Sequence, residues 1–245
     1  MPGETPNVSI VDTFTRGDEN PATGWAASMT GGLYSSNRYR IISNRLAAPP
    51  GLDADSVFGS RVYRGDLDVV LQVGVVGFGG EDITIQLYGQ NVGAAFASYS
   101  SIEIVWRPTG PSVSIYRRSM GGGATFLNGV FSGTAFADGD RLWVKTRGPL
   151  IQVFALRAAV GTDWVLMAST TETLTGREGR IGLAQNNGNV TFRSFGIGEL
   201  SSPGAVEGTT SWSNLMRESK LPSAPDRQAA VTQRDLIRKL EQGRS

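Results

Sequence analysis

Leu67, Val69, Leu71, Val73 and Val75 take every second position of one stretch, with Asp68, Gln72 and Gly74 between them. A period of two sends alternate side chains to opposite faces of an extended chain, so this segment reads as a strand with one buried face. The pattern recurs in Ile83, Ile85 and Leu87, in Ile102, Ile104 and Trp106, and in Val113 and Ile115. Leu142 and Val144, then Ile151 and Val153, flank Arg147-Gly148-Pro149, where Gly and Pro favour a turn between antiparallel strands. Trp164 to Met167, Ile181 to Leu183 and Val190 to Ile197 complete the series. Glycine, at 32 of 245 residues, supplies many turn positions, and no helical period of useful length precedes residue 200. About ten strands at this spacing predict an all-β sandwich or barrel, not an α/β fold with crossover helices.

Two glycines and two phenylalanines refine the C-terminal strands. Gly179 and Gly182 flank the start of an apolar strand, where close backbone packing leaves no room for a Cβ. Phe192 and Phe195 break the alternation by one residue, and a β-bulge near Arg193-Ser194 would turn both rings inward. After Glu199-Leu200 the texture changes. Residues 201–225 read as a polar linker, and residues 226–243 as a helix capped by Asp226 and ended by Gly243. Leu236, Ile237 and Leu240 form its apolar stripe, which a marginal helix would lay into a groove on a partner.

The chain has neither His nor Cys. That removes Ser/His/Asp triads, thiol nucleophiles, imidazole or thiolate metal sites and disulfides. A net charge of +1 gives no general electrostatic footprint for nucleic acid or an anionic membrane. There is no run of about 18 apolar residues to insert in a bilayer, and the N-terminus lacks the pattern of a signal peptide, so synthesis in a cytoplasm is expected.

Four groups of residues are candidates for chemistry. Gln86, Tyr88, Glu103, Arg107 and Tyr116 fall on consecutive strands opposite the core residues and could share a glycan-binding face, aromatic rings meeting the apolar side of a sugar. Asp138-Gly139-Asp140 and Asp53-Ala54-Asp55 could each give two carboxylates to a hard cation such as calcium, although Asp-Gly-Asp is equally an ordinary turn. Asp66 and Asp68 share a face but read as a solvated strand start. No Glu-x-Asp-x-Glu triplet places paired carboxylates on one strand for glycoside hydrolysis, so no catalytic residue is assigned. Arg117-Arg118 reads as a solvated pair, Gly121-Gly122-Gly123 as a loop tip, and Trp25, Trp106, Trp143 and Trp164 as filling between sheets.

Val11-Asp12-Thr13-Phe14-Thr15-Arg16, Gly24-Trp25 and Ile42-Ser43-Asn44-Arg45-Leu46 resemble the opening of concanavalin A-like (LamG-like) jelly-roll domains of bacteriophage minor tail proteins. Gly139-Asp140-Arg141-Leu142-Trp143-Val144, Asp163-Trp164, Gly179-Arg180-Ile181-Gly182-Leu183-Ala184 and Val190-Thr191-Phe192-Arg193-Ser194-Phe195 are similar to its closing half. The resemblance implies an antiparallel jelly-roll sandwich over residues 1–200, with calcium at the rim in some members and otherwise no cofactor. It further implies a non-enzymatic structural or adhesive role in a virion, most readily the tail. Expected partners are other virion proteins, reached through the C-terminal segment in a multimeric particle, and host-envelope glycans. The alternatives are a bacterial carbohydrate-binding module and, less favoured, a glycoside hydrolase.

Overall fold

The alternation of residues 66–76 folds as the long strand β7 (Asp66–Val76), and its neighbours build outward from it. The structure is a computed structural model, and it describes residues 4–26, 38–59, 61–76, 82–91, 99–110, 112–121, 123–131, 135–173 and 177–200. The strands preceding β7 are short: β1 (Ile10–Asp12), β2 (Trp25–Ala26), β3 (Arg40–Ile42), β4 (Arg45–Ala47), β5 (Ala54–Phe58) and β6 (Tyr63–Arg64). Those following are longer: β8 (Ile83–Gln90), β9 (Ser100–Arg107), β10 (Ser112–Arg118), β11 (Ala124–Phe131) and β12 (Arg141–Arg147). The last four are β13 (Leu150–Leu156), β14 (Val165–Thr171), β15 (Glu178–Gln185) and β16 (Val190–Leu200). No helix occurs among the described residues.

Two antiparallel sheets result. The first runs β14-β13-β12-β7-β16-β4-β3, with β1 also on β16; the second runs β11-β10-β9-β8-β15-β5-β2, with β6 on β15. The inward residues of both merge into one core. Leu67, Val69, Leu71, Val73, Leu142, Val144, Ile151 and Val153 come from the first sheet, and Ile83, Ile85, Ile102, Ile104, Trp106, Val113 and Ile115 from the second. Of the sandwich or barrel that periodicity allows the sandwich is observed, and it is the jelly roll that the resemblance implies.

The C-terminal details follow the same logic. The β16–β7 register shifts between Phe192 and Ser194, and Phe192 and Phe195 are both fully buried in the core, as the broken alternation requires. At Gly182 a Cβ would lie 2.5 Å from Gln86 Oε1, and at Gly179 one would lie 2.3 Å from the Tyr88 carbonyl carbon. Gly148 turns β12 into β13 at φ 54°.

Other placements differ from expectation. Trp25 and Trp106 do fill the core, but Trp143 lies on the outer face of the first sheet, because its neighbours Leu142 and Val144 take the inward positions. There it stacks on Phe154 at 4.8 Å and meets Trp164 edge-on at 5.5 Å. Asp68 is not a solvated strand start. It is fully buried on that outer face, accepting from Asn7 N at 2.8 Å, Trp143 Nε1 at 3.1 Å and Arg147 Nη2 at 2.9 Å. Gly121 and Gly123 lead into β11, an edge strand not expected from the sequence. The linker at 201–225 and the helix at 226–243, with Leu236, Ile237 and Leu240, lie outside the described residues.

Candidate functional site

The outward row across the second sheet contains three of the five residues expected on a glycan face. Tyr116 stands opposite Glu103, Glu103 opposite Gln86, and Gln86 opposite Gly182. They share a face because each alternates with a core residue: Ile115 beside Tyr116, Ile104 beside Glu103, Ile85 beside Gln86. Position in the row does not give them equal access, however. Gln86 and Glu103 are buried, and only Tyr116 is half-exposed.

Tyr88 leaves the row altogether. The β8–β9 register shifts between Leu87 and Gln90, and Tyr88 takes φ 55°, so its ring turns into the core. Its hydroxyl donates to Gly65 O at 2.7 Å and shares a hydrogen bond with Thr146 Oγ1 at 2.7 Å, fixing strands of both sheets. Burial is the main cause that raises the Tyr88 phenol above its ordinary value. Tyr88 packs in the core and not on the outward row.

The buried part of the row is a polar cluster held by Glu103 and Arg118. Arg118 was expected in solvent; it is buried, and its guanidinium meets both oxygens of Glu103, with Nη2 to Oε2 at 2.8 Å. Asp55, on β5, is buried as well. Burial pushes its carboxyl well above the usual range, Glu103 adds to the rise, and the Gln86 amide and Arg118 oppose it. Tyr99 completes the group, its phenol pushed up mainly by burial and then by the charge of Asp55. These residues close and organise the face instead of presenting it.

The exposed part lies farther along β9, β10 and β11. Arg107, Ser112, Ser114, Phe126 and Gly129 line an open depression of about 500 Å³. The β10–β11 register shifts between Ile115 and Tyr116, which lets Leu127 pack against the core while Phe126 turns outward opposite Tyr116. Phe126 is 57% exposed, and Tyr116 meets it edge-on with centroids 5.6 Å apart. Arg107 grips Asp82 with two nitrogens, Nη2 to Oδ2 at 3.1 Å. An exposed aromatic face beside two hydroxyls and a guanidinium-carboxylate pair can stack on a sugar ring and address its hydroxyls. Phe126 went unnoticed in the sequence because β11 lacks alternation; the adjacent Phe126-Leu127 pair was its only signal.

The carboxylates of the acidic loops are engaged by arginines and backbone amides. Asp138 is paired with Arg193, Nε to Oδ1 at 2.6 Å, and lies 3.8 Å from Arg45. The Arg193 hydrogen bond lowers the Asp138 carboxyl's pKa against a smaller opposing effect of burial. Asp140 accepts from Ala137 N at 2.9 Å and Ala158 N at 2.8 Å, and pairs with Arg157 at 3.0 Å. Asp53 accepts from Asn187 N at 2.9 Å. Among the described residues, no three acidic side chains gather around a common point suited to a metal.

No protein-family model matches the chain, and no curated protein sequence matches it. Solved structures do. A Bacillus subtilis protein of unknown function with a galectin-like fold superposes with a TM-score of 0.56 at 5% identity, over 80% of this chain and 97% of that one. The exoplasmic/lumenal domain of VIP36 in its Ca2+/Man-bound form gives 0.54 at 16% identity, over 72% and 84%. The carbohydrate recognition domain of Emp46p in its potassium-bound form gives 0.53 at 11%, over 68% and 88%. At these identities the likeness shows the fold alone, a concanavalin A-like jelly roll.

Proposed function

We propose that this protein is a carbohydrate-binding domain whose ligand lies on the outer face of the second sheet, against Phe126 and Tyr116. The observation that carries this reading is the exposed aromatic pair beside Arg107–Asp82 on an open depression, in a fold used by a carbohydrate recognition domain. A stacked aromatic supplies apolar contact without filling the core, and hydroxyls and a charge pair supply direction. The absence of His and Cys from the sequence, and the engagement of Glu103 with Arg118, both favour binding over catalysis.

Binding is tested by affinity electrophoresis in gels containing a mannan, a β-glucan or polygalacturonate. Wild-type protein should be retarded by at least one neutral polymer, and Phe126→Ala should abolish that retardation while the melting temperature is unchanged. Retardation that survives Phe126→Ala moves the ligand elsewhere.

The resemblance to phage minor tail domains adds a separate proposal about context: the domain is displayed on a particle and attached through residues 201–245, with Leu236, Ile237 and Leu240 as the docking stripe. None of the lectin-type structures above bears on that context. Deleting residues 201–245, or replacing Leu236 and Leu240 by Asp, should then prevent incorporation into purified particles, and normal incorporation contradicts it.

A further inference from the structure

The Phe126 platform depends on Gly129, which lines the same depression. A Cβ at Gly129 would lie 3.1 Å from Phe126 Cε2, 2.9 Å from Ser114 Oγ and 2.9 Å from Val113 O. The ring of Phe126, anchored opposite Tyr116, therefore reaches back along β11 to cover the backbone opposite Ser114. Any side chain at position 129 would lift it or displace the edge strand. The glycine makes room for a ring laid against the strand, beside the Ser114 hydroxyl.

The far end of the depression has a charge that is already matched. Among the described residues that line it Arg107 alone is charged, and its Nε and Nη2 face both oxygens of Asp82. The remaining lining residues are Gly110, Ser112, Ser114, Phe126, Gly129 and Val130, none of them charged. An anionic sugar would meet a guanidinium whose charge Asp82 already balances, with the Asp82 carboxylate beside it. A neutral sugar can use the pair as it stands, the guanidinium edge donating to one hydroxyl and the carboxylate accepting from another.

We infer that Gly129 is a positioning residue that flattens Phe126 into a sugar platform, and that the Arg107–Asp82 pair restricts this platform to neutral glycans over uronates. The inference rests on the carbohydrate-binding reading and specifies its ligand class. Wild-type protein should prefer neutral mannan or β-glucan to polygalacturonate by about tenfold in affinity. Gly129→Ala should weaken neutral binding by about tenfold, since stacking needs the ring in place. Because the added methyl also meets the Val113 carbonyl, Phe126→Leu serves as a second variant, keeping an apolar side chain but no flat face, with the same loss expected. Asp82→Asn should narrow the preference for neutral polymers by about tenfold, as Arg107 becomes available to a carboxylate. Absence of any binding by the wild type overturns the underlying reading. Neutral binding that is lost in Phe126→Ala yet survives both Gly129→Ala and Phe126→Leu, or a wild-type preference for polygalacturonate, overturns this inference alone.

Discussion

Arg118 Nη2 lies 2.8 Å from Glu103 Oε2, and the two side chains, 5% and 2% exposed, form an ion pair buried on the sheet face that turns away from the core. Removing one partner of such a pair leaves a buried charge without compensation, which costs about 3 to 5 kcal/mol. Arg118→Met should therefore destabilise strongly. The double change Arg118→Met with Glu103→Leu should recover much of the loss. Urea unfolding of the two single variants and the double variant measures this coupling, and additive effects would show that the pair does not act as a unit.

Asp55 should make stability fall as pH rises from acid. Below about pH 4, the ordinary Asp value, the carboxyl is protonated in both folded and unfolded chains and contributes nothing. Above it the unfolded chain ionises while the folded one keeps its proton, because burial raises the folded value, so the unfolded state is favoured until the folded carboxyl ionises too. Asp55→Asn removes this titration. Its stability relative to wild type should grow from pH 4 to pH 7 in urea unfolding. A difference that is constant, or that shrinks with rising pH, contradicts the assignment.

Gly198 should be intolerant of any side chain. A Cβ there would lie 1.8 Å from Asn7 O, so the chain leading into β1 crosses directly over it. The same segment donates Asn7 N to buried Asp68. Gly198→Ala should lift it, expose that carboxylate and destabilise by about 1 to 3 kcal/mol. Faster amide exchange at residues 7–12 would accompany the loss, and unchanged exchange would show that the segment is held elsewhere.

Calcium should leave the protein unaltered. Asp138 and Asp140 already face Arg193 and Arg157, so a cation would have to break both pairs. Millimolar calcium should neither raise the melting temperature nor produce heat on titration. A rise reversed by chelator would contradict this account.

The inward half of the fold was legible and much of the outward half was not. Alternation places Leu67 through Val73 and Ile83 through Leu87 inside, because burying apolar area is the same rule at every position. Even the bulge between Phe192 and Ser194 could be read, since two large rings one residue out of phase cannot both face inward on a regular strand. Tyr88 was misplaced because nothing in Leu87-Tyr88-Gly89 announces the positive φ that turns it inward. Trp143 departs from the between-sheet position expected of a large ring because the period puts Leu142 and Val144 inside and leaves it on the outer face. Glu103 and Arg118 look like solvent-facing residues in any alternation, and burial of an outer face depends on contacts distant in sequence. Tyr116 and Arg107 were recognised as outward, whereas Phe126 needed the β10–β11 bulge to be seen.

The most direct measurement of the central claim is the affinity of the wild-type protein for neutral polysaccharides beside that of Phe126→Ala and Tyr116→Ala, each with its melting temperature. The outer face of the second sheet as the ligand face predicts measurable wild-type binding, loss of about tenfold or more in each variant, and unchanged melting, because neither ring belongs to the core. Wild-type affinity preserved in both variants, or no affinity for any neutral polymer, would contradict it.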